Sequence, residues 1–214
     1  MRRIVVVLPL LLLAVGCGGS KESGSHSTTR AETPEGFTVR HVRDEGFSIA
    51  VPTGWRSIDA STAMTGSSAK QFERDNPAAA GAVEALARPN SPMKFVAIDP
   101  AGLEFATNVN VLVSRIPADA SFERWTSAET AQIAALSPTH LTKGSIQLPA
   151  GQGFRLRYHA RLAIRGTPRD LAIHQYMLKR GPFLYVITFT TAARQENRLS
   201  KTFEQSARTF KLTS

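Results

Sequence analysis

FRLRYHARLAIRGTPRDLAIHQYMLKRGPFLYVITFT, residues 154–190, decides the fold class. Phe154, Leu156, Tyr158, Ala160, Leu162 and Ile164 alternate with Arg155, Arg157, His159, Arg161, Ala163 and Arg165. A period of two belongs to a β-strand, whose successive side chains leave opposite faces. Gly166-Thr167-Pro168 makes a turn, and Leu171–Lys179 reads as a second strand. Arg180-Gly181-Pro182 turns the chain again into Phe183–Thr190, rich in aromatic and β-branched residues. Short turns between successive strands give an antiparallel meander. Beyond it, Leu199, Phe203, Ser206, Ala207 and Phe210 recur at helical spacing, which predicts a closing helix with its apolar stripe on the sheet.

Upstream, Phe37–Arg43 and Phe47–Val51 read as strands joined at Asp44-Glu45-Gly46, with Phe47, Ile49 and Val51 on one face. Pro52, Thr53 and Gly54 end the second, and residues 60–69 read as a loop. Lys70–Arg88 predicts helix broken at Asn76-Pro77, where proline cannot continue the hydrogen-bond ladder. Met93–Asp99 and Asn108–Arg115 read as strands. Ser121–Leu136 reads as a helix capped by Ser121, with Phe122, Trp125, Glu129, Ile133 and Leu136 on one side. Strands, a helical middle and a helix-closed meander together predict an α+β fold, an antiparallel sheet with packed helices.

The N-terminus has a different character. Arg2 and Arg3 precede an apolar run from Ile4 to Val15. That run is shorter than the roughly 20 residues of a spanning helix and has the length of a signal-peptide core. Leu13, Ala14, Val15 and Gly16 lead into Cys17, the one cysteine of the chain. This resembles the lipobox of bacterial lipoproteins, with Ala14 standing where the pattern usually has leucine. The resemblance implies cleavage after Gly16 and a diacylglycerol on the Cys17 sulfur. Two acyl chains anchor stably where one does not.

Residues 18–35, GGSKESGSHSTTRAETPE, contain no Leu, Ile, Val, Met or aromatic residue. Such a stretch buries too little apolar surface to offset the entropy of ordering. It reads as a tether of roughly 25 Å. The expected organisation is a signal peptide over 1–16, a lipidated cysteine and linker over 17–35, and one domain over 36–214.

Two segments of that domain carry a second resemblance. GFSIAVPTGW (Gly46–Trp55) is a strand running into Pro-x-Gly-Trp. Gln175–Phe210 holds a strand, a glycine turn, LYVITFTT, a polar gap and a helix with Phe203, closing in Ala-Arg-Thr-Phe-Lys-Leu. Together they resemble the fold family of PsbP, the extrinsic photosystem protein, and more closely its bacterial lipoprotein relatives of the LpqN and DcrB types. The resemblance covers the two ends of the domain and is weak over residues 60–105. It implies an αβα sandwich and a non-catalytic accessory, scaffold or binding role. Its motifs are structural, so the photosynthetic role of PsbP does not transfer. In physical terms, Pro52 removes a ladder donor, Gly54 permits a tight bend and Trp55 folds back on the core.

Little in the sequence announces chemistry. A lone cysteine excludes an internal disulfide and a cysteine-built metal site. His26, His41, His140, His159 and His174 form no metal-ligand spacing, although His159 and His174 can be neighbours across the hairpin. Gly151-Gln152-Gly153 begins like a dinucleotide fingerprint, but Leu156 replaces the third glycine and a strand follows. Asp99 and Glu104 flank a turn without indicating convergence. No nucleophile elbow or P-loop is present, and no cofactor and no catalysis are expected.

The formal net charge is +9. Without Arg2 and Arg3 it is 24 basic against 17 acidic residues, or +7. Such a surface favours anionic partners, although solubility alone also accounts for it. The candidate contact residues are Arg155, Arg157, His159 and Arg161 on one side of the 154–165 strand, with Arg165 near the turn. Like charges in a row repel, and either a bound anion or nearby carboxylates on a solvated face relieve them. The expected function is a lipid-anchored, extracytoplasmic binding or accessory module of the cell envelope. Its expected partners are the membrane, through the lipid, and an anionic envelope component or envelope protein; nucleic acid is not expected. Alternatives are a carrier of a small apolar ligand, which requires a sizeable apolar cavity, and a hydrolase or transferase, which requires converging polar groups.

Overall fold

The computed structural model describes residues 33–63, 66–76, 80–101, 105–117, 119–164 and 166–213. The expected signal peptide, Cys17 and most of the linker lie outside the described residues, as do Arg165 and Glu104.

Among the described residues, ten strands form two antiparallel sheets. In the first, β1 (Phe37–Val42), β2 (Phe47–Pro52) and β10 (Lys211–Leu212) run in the order β1-β2-β10. The other strands are β3 (Arg56–Asp59), β4 (Met93–Ile98), β5 (Asn108–Arg115), β6 (Thr139–Leu148), β7 (Gly151–Ile164), β8 (Thr167–Arg180) and β9 (Phe183–Ala192). They make a seven-stranded sheet in the order β3-β4-β5-β9-β8-β7-β6. The predicted meander is its centre: Leu156 faces Gln175 and Tyr176 faces Ile187 across β7-β8-β9.

One face of the large sheet shares a core with the small sheet and the closing helix. Phe47, Ile49 and Val51 from β2 meet Val109 and Val111 from β5, Ile187 and Phe189 from β9, and Leu199, Phe203 and Phe210. The helix, α5 (Glu196–Ala207), buries Leu199, Phe203, Ser206 and Ala207 as its spacing predicts. Phe203 stacks on Phe189 with ring centroids 5.0 Å apart. Each fully buried aromatic of this kind stabilises the fold by about 1.5–3 kcal/mol. Polar ties fix the seam: the Ala50 amide donates to Thr209 Oγ1 at 2.7 Å, and Ser206 Oγ donates to the Ala50 carbonyl.

Helices cover the opposite face. Phe72 of α2 (Ser67–Asp75) and Val83 and Leu86 of α3 (Ala80–Ala87) pack on Ile58, Val96 and Ile98. Ile133 of α4 (Phe122–Ala134) packs on Leu156 and Met177. With both faces covered, every residue from Leu171 to Leu178 is buried. The architecture is the predicted α+β arrangement.

Local expectations hold where a single physical signal governs them. Ser121 caps α4 by accepting from the Arg124 amide at 3.4 Å. Trp55 is 6% exposed and joins the main core. Gly46 ends the turn after β1 at φ +65, a conformation that disfavours a Cβ.

Two expectations are corrected, over residues 60–69 and at Leu136. Residues 60–69 are not all loop: α1 (Ala60–Ala63) follows β3 directly and α2 begins at Ser67. The tight bend expected before Trp55 is present, the Trp55 amide donating to the Pro52 carbonyl at 2.9 Å. Leu136, placed on the apolar side of α4, lies past the helix end and is 45% exposed. Strand β6, for which the sequence carries no expectation, extends the meander, with a register shift between Thr139 and Thr142. By simple alternation Leu141 packs with Ile133 and Leu156, while Ile146 and Leu148 join the main core on the other face.

Candidate functional site

Antiparallel register places the basic row. Arg155 pairs with Tyr176, Arg157 with His174, His159 with Ala172 and Arg161 with Asp170. Paired residues share a sheet face. Tyr176 belongs to the main core, so the basic row lies on the face that carries α5. The row is solvated only in part: Arg161 is exposed, whereas Arg157 and His159 are half-buried at the margin of the main core.

The carboxylate that meets them comes from the start of α5. After β9 the chain makes one 3-10 turn, Ala193–Gln195, and enters α5 at Glu196. Glu196 Oε1 lies 3.1 Å from Arg157 Nη2 and 2.8 Å from His174 Nε2. Its other oxygen, Oε2, lies 2.6 Å from His159 Nε2. A carboxylate in the first turn also meets the positive end of the helix dipole. Burial by itself would raise the Glu196 pKa. The hydrogen bonds from His159, His174 and Arg157 outweigh it and hold the carboxyl at about 2.

His174 is 2% exposed and sits edge-on to Phe203, with centroids 5.3 Å apart. Burial, reinforced by the charges of Arg157 and Arg155, lowers its pKa below the ordinary 6.5 against the pull of the Glu196 hydrogen bond. At neutral pH this describes a neutral imidazole donating Nε2–H to an ionised carboxylate. His159 is 23% exposed, and its ring lies 4.7 Å from that of His140, which takes φ +55 at the β6 irregularity.

The structure thus gathers two of the five predicted contact residues, Arg157 and His159, around a carboxylate. Arg155 stands beside them opposite Tyr176. Arg161, 72% exposed, is 3.8 Å from Asp170 near the hairpin end. His159 and His174, suspected neighbours across the hairpin, share the same glutamate. Glu196 itself escaped sequence reasoning. The available signal was weak: an acidic residue opening a helix that must pack beside a basic strand.

Chemically, the cluster binds inward. Both Glu196 oxygens are engaged and His174 is closed to solvent, so the groups lock the start of α5 to the β7–β8 hairpin. Among the described residues, no group of three or more His, Cys, Asp or Glu is placed to hold a metal ion. On the opposite face, Gln175 Nε2 donates to Glu129 Oε1 at 3.1 Å, and burial with the Glu129 charge pushes the Tyr158 hydroxyl up to about 12. The larger described clefts lie away from this cluster and are lined in part by Arg, Ser and Asp side chains. No helix among the described residues is long and apolar enough to cross a membrane.

No protein-family model and no curated protein matches the sequence. Solved structures do. LpqN of Mycobacterium tuberculosis, described as involved in cell envelope biogenesis, aligns at 11% identity over 83% of this chain and 91% of its own, with a TM-score of 0.46. The solution structure of the cyanobacterial PsbP protein (CyanoP) from Synechocystis sp. PCC 6803 aligns at 15% identity, covering 83% of this chain and 92% of that one, with a TM-score of 0.50. At such identity the likeness speaks to architecture alone. A large antiparallel sheet with helices on both faces, closed by α5 over the meander, matches CyanoP nearly end to end, and the chain has a PsbP-like fold.

Proposed function

We propose that this protein is a non-catalytic binding or accessory module, held at the extracytoplasmic face of a cell membrane by a lipid on Cys17. The observation that carries the reading is the arrangement along the chain. A basic pair and an apolar run end in Cys17, a stretch without large apolar residues follows, and the first strand begins at Phe37. A domain on such a tether works next to a surface. The Glu196 cluster supports the non-catalytic part, because its charged groups hold two structural elements together and its buried histidine meets no solvent.

The test is mass spectrometry of the native protein with membrane fractionation. The expected result is a diacylglycerol-modified Cys17 at the mature N-terminus, and release of a Cys17→Ala variant from the membrane fraction. An unmodified thiol on the intact chain, recovered from the cytosol, overturns the proposal.

A further inference from the structure

We infer that the groove between the two free sheet edges, β1 and β3, takes up an extended acidic segment of a partner protein. This deepens the binding-module reading and rests on it.

β1 is the outer strand of the small sheet and β3 the outer strand of the large one. Each spends its pairing groups on one neighbour, β2 or β4, and leaves the other edge for a further strand. The two strands face each other across a cavity of about 280 Å³ bounded by Val39, Arg40 and His41 on one side and Ser57, Ile58 and Asp59 on the other. That cavity shares Arg40, Ser57 and Ile58 with a cleft of about 690 Å³ beside α2. At its other end it shares His41, Val42 and Asp59 with a cleft of about 710 Å³ that reaches Lys94. The space therefore follows the strands, which suits an extended chain better than a compact ligand.

The charge of the groove sets the partner's chemistry. Apart from Asp44, exposed at the far end of the cleft that reaches Lys94, its carboxylates have partners. Asp75 accepts from Arg56 at 3.4 Å and from Gln71 at 2.8 Å. Asp59 accepts from Ser61 Oγ at 2.7 Å and the Thr62 amide at 2.8 Å, and Glu45 pairs with Lys94 at 2.8 Å. Arg40 has no such group: its Nε is buried without a hydrogen-bond partner. Arg74 donates to the neutral Gln71 side-chain carbonyl at 2.6 Å. Arg40 lines the groove without a carboxylate of its own, so an incoming carboxylate can meet the terminal nitrogens of its guanidinium with a charge-assisted bond. The peptide backbone then pairs with the strand edges, and its acidic side chains reach Arg40 and Arg74.

The test uses the full chain in detergent and three fluorescein-labelled peptides: alternating glutamate and valine, alternating lysine and valine, and the glutamate form with alternate backbone amides methylated. Fluorescence anisotropy is expected to show binding of the first alone. Arg40→Ala and Arg74→Ala should each weaken it about tenfold, the loss of one hydrogen bond to a charged group. Arg124→Ala, on the exposed side of α4, should leave it unchanged. If Arg40→Ala fails to fold, Arg40→Lys keeps the charge, loses the forked geometry and should still weaken binding. No binding of the glutamate peptide, equal binding of the lysine or methylated peptide, or indifference to Arg40 overturns the inference. A lipid found on Cys17 with no peptide binding rejects the groove alone, whereas an unmodified Cys17 with peptide binding rejects the anchor alone.

Discussion

His174 Nε2 lies 2.8 Å from Glu196 Oε1, joining a buried strand residue to the first residue of the closing helix. The same oxygen takes Arg157 at 3.1 Å, so one carboxylate atom serves two strands. Removing it strands both donors. Glu196→Ala is expected to cost about 1–3 kcal/mol in urea unfolding, the penalty for leaving buried polar groups unsatisfied. Arg157 is 37% exposed and can turn to water, which keeps the loss below that of a fully buried pair. A loss under about 0.5 kcal/mol would show that α5 is held by its apolar stripe alone.

Stability should fall with acid in two steps. Glu196 is held at about 2, below the ordinary 4.5, so between these values the unfolded chain binds more protons than the folded one. Its contribution is fully present above pH 4.5 and is lost as pH falls toward 2. The His174 pKa is also lowered, so the unfolded chain takes up its proton first and stability begins to fall below pH 6.5. Urea midpoints measured from pH 8 to pH 2 should decline in both windows. His174→Gln should flatten the upper step and Glu196→Gln the lower one. A flat profile down to pH 3 in the wild type would contradict both assignments.

Much of this architecture is legible in the chain, and the illegible parts share a cause. The β7–β9 meander and the α5 stripe stand out because each strand or helix repeats one local period over many residues. β3 is only four residues long, Arg56–Asp59, and offers too little alternation to read. β6 has few apolar residues, and alternation puts Leu141 on one face and Ile146 and Leu148 on the other, so neither face carries a stripe long enough to read. The basic row is a subtler case. Its alternation is correct, but alternation cannot tell which face of a sheet is covered, and here both are. Glu196 joins the cluster through packing between elements distant in sequence, which no local pattern records.

Charge reversal should separate the two ends of the basic row. Arg161 is 72% exposed and 3.8 Å from an equally exposed Asp170, so Arg161→Glu is expected to change stability by no more than about 0.5 kcal/mol. Arg157→Glu sets a second carboxylate against Glu196 and should destabilise by about 1–3 kcal/mol. If this face also contacts an anionic envelope component, Arg161→Glu should weaken binding to vesicles of anionic phospholipid at low salt without changing the urea midpoint. Equal stability losses for both variants would show that the two positions share one environment.

Gly153 explains a motif that otherwise suggests a cofactor. Gly151-Gln152-Gly153 does not open a helix; it begins β7, and Gly153 is buried opposite Leu178. A Cβ on Gly153 would lie 2.7 Å from the backbone carbonyl of Met177, a contact that no side-chain rotation relieves. The strands would have to separate at the edge of the main core, where Leu178 and Ile146 close the same space. Gly153→Ala is therefore expected to destabilise by about 1–3 kcal/mol, in the range of other overpacked cores. Gly144, in the adjoining strand β6, has open space around its would-be Cβ and ordinary backbone angles. Gly144→Ala should be neutral or slightly stabilising, because alanine restricts the unfolded chain. Thermal melts of the two variants side by side test the geometry directly, and a Gly153→Ala protein as stable as Gly144→Ala would refute the close strand approach.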